Sequence, residues 1–240
     1  MESKNLASRQ FYGSGIPGVN PAEFKGAFIV IEGADGSGRS TQISGLRNWL
    51  ELAGFAVEIT GLSRSDLVAE DLEKAKQGHT LLPTTLSLYY ATDFADRLEN
   101  KIFPALRSGF VVLADRYIYS LIARTTARGV DSEWIKEVYG IALVPDAVFY
   151  LDVPPTVLAE RNFRKNFTLD YWESGMDIRH SGDMYECFLH YQKQLQKIFK
   201  TLQKKYEFEI INGNRNPSVI QQELRRKIKH LLNTDNGQSG

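Results

Sequence analysis

Short, largely apolar runs recur along this 240-residue chain, separated by longer stretches in which apolar positions return every three or four residues. The runs fall at 28 to 31 (FIVI), 56 to 60 (AVEIT), 110 to 114 (FVVLA), 147 to 151 (AVFYL) and 208 to 211 (FEII). Their length and branched content predict strands. The third is wholly apolar, which predicts a central strand covered on both faces. In the stretches between, Ile43, Leu46, Leu50 and Ala53 share one helical face that stops at Gly54. Leu86, Tyr90, Phe94 and Leu98 are stacked at a spacing of four in a helix predicted over 84 to 106, which Pro104 should kink or end. Another helix runs to about Tyr206, and Asn216-Pro217 opens a last one through Ile220, Leu224, Ile228 and Leu231. Strand and helix alternating in this way imply parallel βαβ units. The predicted fold is an α/β, five-stranded parallel sheet with helices on both faces.

Composition narrows the picture. Lysine plus arginine equals aspartate plus glutamate at 29 each, so no net field favours nucleic acid or a membrane surface as partner. Cys187 is the single cysteine, so no intramolecular disulfide forms. No apolar run approaches the roughly 18 residues of a spanning helix, and the start does not read as a signal peptide. A soluble, cytoplasmic protein is expected. Residues 1–25, with FYGSGIPGVNP, read as a flexible N-terminal arm, 26–232 as one domain with a small lid at about 161–182, and 233–240 as a disordered tail.

The first strand runs directly into GADGSGRST, residues 33 to 41: Gly33, Ala34, Asp35, Gly36, Ser37, Gly38, Arg39, Ser40 and Thr41. This is the pattern of a phosphate-binding loop, with Arg39 where a lysine is usual. Glycines let backbone amides turn inward around an anion, and the following helix adds the positive end of its dipole. Ser40 would place a hydroxyl on a magnesium ion bridging the phosphates of a nucleotide triphosphate. At the end of the central strand, Asp115 is a second candidate for the magnesium shell, and Arg116 presents a planar fork for a phosphate.

The loop GADGSGRST, followed by DRYIYS at 115 to 120, resembles the thymidylate kinases. The helix sequence between them is similar to the one that carries that family's base-binding aromatic. The resemblance covers roughly residues 27 to 230. It implies a P-loop nucleoside-monophosphate kinase, magnesium-dependent transfer of the ATP γ-phosphoryl to dTMP, a pyrimidine deoxynucleoside monophosphate, and a homodimer. It assigns the acceptor to Asp35 (sugar hydroxyl), Arg64 and Arg116 (phosphate), Tyr90 (base stacking), Ser120 and the Phe94 position. Arg39, Arg161 and Arg164 take the catalytic roles. Several residues depart from the pattern. Arg39 replaces lysine, and read as a lysine mimic it should allow Arg39→Lys to keep or raise activity. Phe94 stands where an arginine reaches the base, Leu121 and Arg124 replace groups at the base edge and sugar, and LDYWESGMDI (169 to 178) is an acidic, aromatic lid. These departures imply looser discrimination among pyrimidine monophosphates. Two other readings stay open at the level of sequence: a deoxynucleoside kinase, and a catalytically weakened nucleotide-binding regulator.

Overall fold

The computed structural model describes residues 9–78, 81–178 and 180–235. Its strands are β1 (Phe28–Gly33), β2 (Val57–Gly61), β3 (Val111–Asp115), β4 (Ala147–Asp152) and β5 (Glu209–Asn212). They form one parallel sheet in the order β2-β3-β1-β4-β5. The helices are α1 (Arg39–Leu52), α2 (Ala69–Gln77), α3 (Pro83–Arg97), α4 (Phe103–Arg107), α5 (Ile118–Ala127), α6 (Ser132–Val138), α7 (Pro155–Asn166), α8 (Met184–Tyr206) and α9 (Pro217–Asp235).

Alternation along β1 explains why Phe28 to Ile31 are all apolar. Phe28 and Val30 point to one face, into a core shared with α3, α5 and α8. Ile29 and Ile31 point to the other, against Ile43, Leu46 and Leu50 of α1 and Leu224 and Ile228 of α9. Both faces are dry, so no polar alternation survives. Register then sets the site: Ile31 lies opposite Asp115, and Gly33 opposite Leu151, so the ends of β1, β3 and β4 open onto one crevice.

The long helix of 84 to 106 is realised in three pieces. Between α3 and α4 the backbone widens into a π turn, Leu98–Ile102, just ahead of Pro104. Proline lacks an N–H and its ring presses on the carbonyl four residues back, and the wider turn accommodates both. Of the segment expected as a lid, Arg161 and Arg164 belong to α7, and residues 167 to 178 carry no helix or strand; the Asp183 carboxylate caps α8 by accepting from the Glu186 amide at 2.8 Å.

The N-terminal segment is not a free arm from residue 9 onward; residues 1–8 lie outside the described residues. Arg9 pairs with Asp146 at 2.6 Å, Phe11 bridges Leu143, the Tyr12 and Tyr119 hydroxyls meet at 2.5 Å, and Phe24 stacks on Phe103 at 4.9 Å. Apolar rings over a helix end are worth more buried than any loop entropy they cost. Removing residues 1–25 should therefore lower stability by about 4 kcal/mol, or about 10 °C in Tm. Thermal unfolding of the full chain and of 26–240 measures this, and an unchanged Tm would show that the segment packs without stabilising. At the other end α9 continues to Asp235, past the expected start of a disordered tail at 233; residues 236–240 lie outside the described residues.

Candidate nucleotide and phosphoryl-transfer site

The loop from β1 to α1 is shaped by its glycines where the backbone leaves ordinary space. Gly38, at φ +95, is the N-cap of α1 and offers no side-chain cap, so the first amides of the helix stay available to an anion. Gly36, at φ +82, lies so close to α7 that a Cβ would stand 3.0 Å from Asn162 Nδ2. Asn162 uses that amide to donate to the Asp35 carbonyl at 3.0 Å, and Arg161 donates to the Gly36 carbonyl at 3.2 Å and to Gly213 at 3.3 Å. The turn is thus held from outside by α7. A cavity of about 550 Å³ lies along it, lined by Gly38, Ser40, Thr41, Arg161, Lys165 and Asp170 among others.

Arg39 does not extend into this cavity as a lysine would. It is buried, and its fork is spent on the protein. Nε donates to Asp115 Oδ1 at 2.6 Å, Nη1 to the carbonyls of Gly33 and, at 2.6 Å, Ala34, and Nη2 to Asp35 Oδ1 at 3.2 Å. Burial opposes its charge, but Asp115 and Asp35 outweigh that and raise its basicity. The residue joins the phosphate loop to the end of β3.

Asp35 is the meeting point of two arginines. Its Oδ1 also accepts from Arg116 Nη2 at 2.9 Å. Burial works against the carboxylate, yet Arg116 and Arg39 hold its pKa well below the usual range. Arg116 itself sits at φ +72, a strained setting for a side chain of this size. Glu32 holds it there. This fully buried carboxylate accepts from the Tyr117 amide at 2.9 Å, the Ser120 amide at 3.1 Å and the Ser120 hydroxyl at 2.5 Å. Burial pushes its pKa up against the pull of those hydrogen bonds. Ser120 is therefore committed to Glu32, inside the wall of the site.

A second cavity, of about 20 Å³, is lined by Leu86, Ser87, Tyr90, Leu121, Arg124, Thr125, Arg128 and Trp172. Tyr90 lines this cavity. Phe94 does not: it is fully buried against Tyr117 and Tyr139 with ring centroids at 5.2 and 5.4 Å, one helical turn deeper. Phe94→Arg would bury an unpaired charge in the core, so Phe94 is not a reader of the base edge. The arginine that follows on α3, Arg97, is locked in a fully buried pair with Asp93 at 2.9 Å. Asp93 in turn accepts from the amides of Ser63 and Ser65, and so fixes the loop that carries Arg64. Arg64 reaches toward Asp115 Oδ2 at 3.7 Å and is half exposed. Arg164 does not join the site: it is exposed on α7 and pairs with Glu160 at 2.6 Å.

Sequence reading missed four contributors: Glu32, Asn162, Trp172 and Glu173. Glu173 lies between two arginines, pairing with Arg124 and standing 3.5 Å from Arg116. Its signal was the acidic stretch itself, set where basic residues were expected.

The parallel sheet, the phosphate loop leading into α1 and the Asp115-Arg116 pair at the end of β3 define an α/β P-loop kinase fold. Glu173 lines the loop cavity, and Arg124, with which it pairs, lines the α3–α5 cavity. The sequence profile of the family described as thymidylate kinase matches residues 31–224. The chain belongs to the thymidylate kinase family. It is 37% identical over 209 residues to a probable thymidylate kinase 2 of Saccharolobus solfataricus, covering 87% of this chain and 98% of that protein. It is 38% identical over 136 residues to a probable thymidylate kinase of Thermococcus kodakarensis, covering 53% of this chain and 66% of that one. Against a probable thymidylate kinase of Pyrococcus abyssi it is 28% identical over 215 residues, covering 87% and 98%.

Proposed function

We propose that this protein transfers the γ-phosphoryl of ATP to the phosphate of dTMP. The observation that carries the reading is the convergence of Arg39 and Arg116 on Asp35, which lines the loop cavity. ATP lies along the loop, its phosphates on the amides of residues 36 to 41 and on the dipole of α1. dTMP lies against Tyr90, its phosphate held by Arg116 and Arg64, its sugar hydroxyl donating to Asp35. An oxygen of the acceptor phosphate, anionic at neutral pH, attacks the γ-phosphorus. The bond from that phosphorus to the β–γ bridging oxygen breaks, ADP leaves, and no general base is needed. Arg116 offsets the repulsion between the two anionic nucleotides.

A divalent metal fits the donor chemistry present. Asp115 Oδ2 faces the half-exposed Arg64 only at 3.7 Å, and Glu173 Oε2 is buried with no hydrogen-bond partner among the described residues. Among those residues no group of three or more His, Cys, Asp or Glu forms a cage, which suits magnesium carried by phosphates and water. Ser40 and Asp115 would hold it, and it would neutralise charge on the transferring phosphoryl. The active form is proposed to be a homodimer. No helix among the described residues is long and apolar enough to cross a membrane.

ADP release with dTMP, dUMP, dCMP, UMP and thymidine as acceptors tests the reading, in the presence and absence of magnesium. Turnover is expected with dTMP and magnesium, and none with thymidine. Turnover of thymidine but not of dTMP would replace the monophosphate reading by a nucleoside kinase.

A further inference from the structure

Residues 170 to 178 have no helix or strand, yet they are fastened on three sides. Trp172 packs on Leu72 and Leu86 of α2 and α3, and its indole donates to the Lys76 carbonyl at 3.3 Å. Gln192 of α8 donates to the Glu173 carbonyl at 2.9 Å. The strongest fastening comes from Arg128, the residue that ends α5. Its guanidinium is buried and every N–H is used. Nε and Nη2 grip Asp177 at 2.7 and 3.1 Å, Nη2 also donates to the Trp172 carbonyl at 3.0 Å, and Nη1 to the Tyr191 hydroxyl at 2.5 Å and the Arg124 carbonyl at 3.3 Å. The same group lies 5.7 Å from the Trp172 ring centroid and 5.2 Å from that of Tyr191.

What this fastening holds in place is the acceptor side itself. Trp172 closes the cavity against Tyr90 and leaves about 20 Å³, room for water and not for a nucleotide. Glu173 places a carboxylate on Arg124 and beside Arg116, the charge that an acceptor phosphate needs. We propose that residues 170 to 178 form a strap that occupies the acceptor side of the resting protein, latched by Arg128 on Asp177, and that the acceptor gains access by displacing it. The proposal rests on the reading of this cavity as the acceptor side. Trp172 stands in for the base and Glu173 for the phosphate, so binding exchanges an internal anion for the substrate's. A closed majority state lowers apparent acceptor affinity by the fraction of molecules that are open. Arg128 is a positioning residue: it touches the strap and does not touch the reacting atoms.

The test weakens the latch from each side in the full-length protein. Asp177→Asn removes the charge on the strap, and Arg128→Lys keeps a cation while losing the planar two-point grip. Each is expected to lower the KM for dTMP by about three- to tenfold, with the dissociation constant for ATP unchanged. The double variant should be no stronger than either single one, because both break one contact. Hydrogen exchange at the Ser174, Met176 and Ile178 amides should quicken without nucleotide, while β1 stays protected. An unchanged or raised KM would overturn the latch, because the strap would then be a wall that the acceptor needs. Unchanged exchange would overturn it too, and that measurement holds even if dTMP proves not to be the acceptor. Failure of the wild type to phosphorylate dTMP would sink the functional reading alone.

Discussion

Arg39→Ala is expected to abolish phosphoryl transfer, by a factor on the order of 10² to 10³ or more in kcat, the scale seen when one preorganised donor is removed from a reacting site. Two effects combine. The loop loses the only cation among its own residues 33 to 41. The buried Asp115 carboxylate and the carbonyls of Gly33 and Ala34 also lose their partner, and such orphaned groups cost about 1–3 kcal/mol each. The geometry also reverses the expectation for lysine. A guanidinium spans Asp115, Asp35 and two carbonyls because it offers five N–H groups in a plane, and an ammonium has three on a single atom. Arg39→Lys should therefore lose at least about tenfold in kcat instead of keeping or gaining activity, since one broken charge-assisted bond is worth about 1.5–3 kcal/mol. Steady-state rates of both variants, with thermal unfolding as a control, decide this. A lysine variant as fast as the wild type would mean that the four contacts of Arg39 are incidental to catalysis.

Glu32→Ala should be the most destabilising single change near the site. It leaves the Tyr117 and Ser120 amides and the Ser120 hydroxyl without an acceptor in a dry interior, and it removes a charge that faces Arg116. A loss of about 3–5 kcal/mol is expected, or some 10 °C or more in Tm. The same change releases the strained backbone of Arg116, so the KM for the acceptor should rise while ATP binding along the loop is preserved. Glu32→Gln separates the two effects, because its amide keeps an acceptor oxygen but turns a donor toward the Ser120 hydroxyl. It should lose less stability than alanine and still raise the acceptor KM. If stability and acceptor KM were both unaffected in the alanine variant, Glu32 would be packing without holding Arg116.

Runs such as FIVI and FVVLA could only be strands buried on both faces, and glycines at 33, 36 and 38 before a helical pattern could only be a turn that exposes its amides. These are local consequences of chain geometry, so the sheet, the loop and the strand end bearing Asp115 and Arg116 were legible from the residues in order. The helix faces were legible too, but not their depth. A spacing of four marks Tyr90 and Phe94 alike, and only packing against Tyr117 and Tyr139 places Phe94 in the core while Tyr90 stays at the cavity. The side-chain partners were not legible at all. Arg39 meets Asp115 across 76 positions of sequence, and Glu32 meets Ser120 across 88, so nothing local records either contact. The same holds for the strap, where Glu173 meets Arg124 and Asp177 meets Arg128, each across 49 positions of sequence. Amino-acid order determined the fold and the loop whose amides stay open to an anion, because backbone conformation and burial pattern follow from neighbours along the chain. The tertiary structure alone decided which charges face one another, because a charged group is satisfied by whatever stands within about 3 Å of it, however distant in sequence.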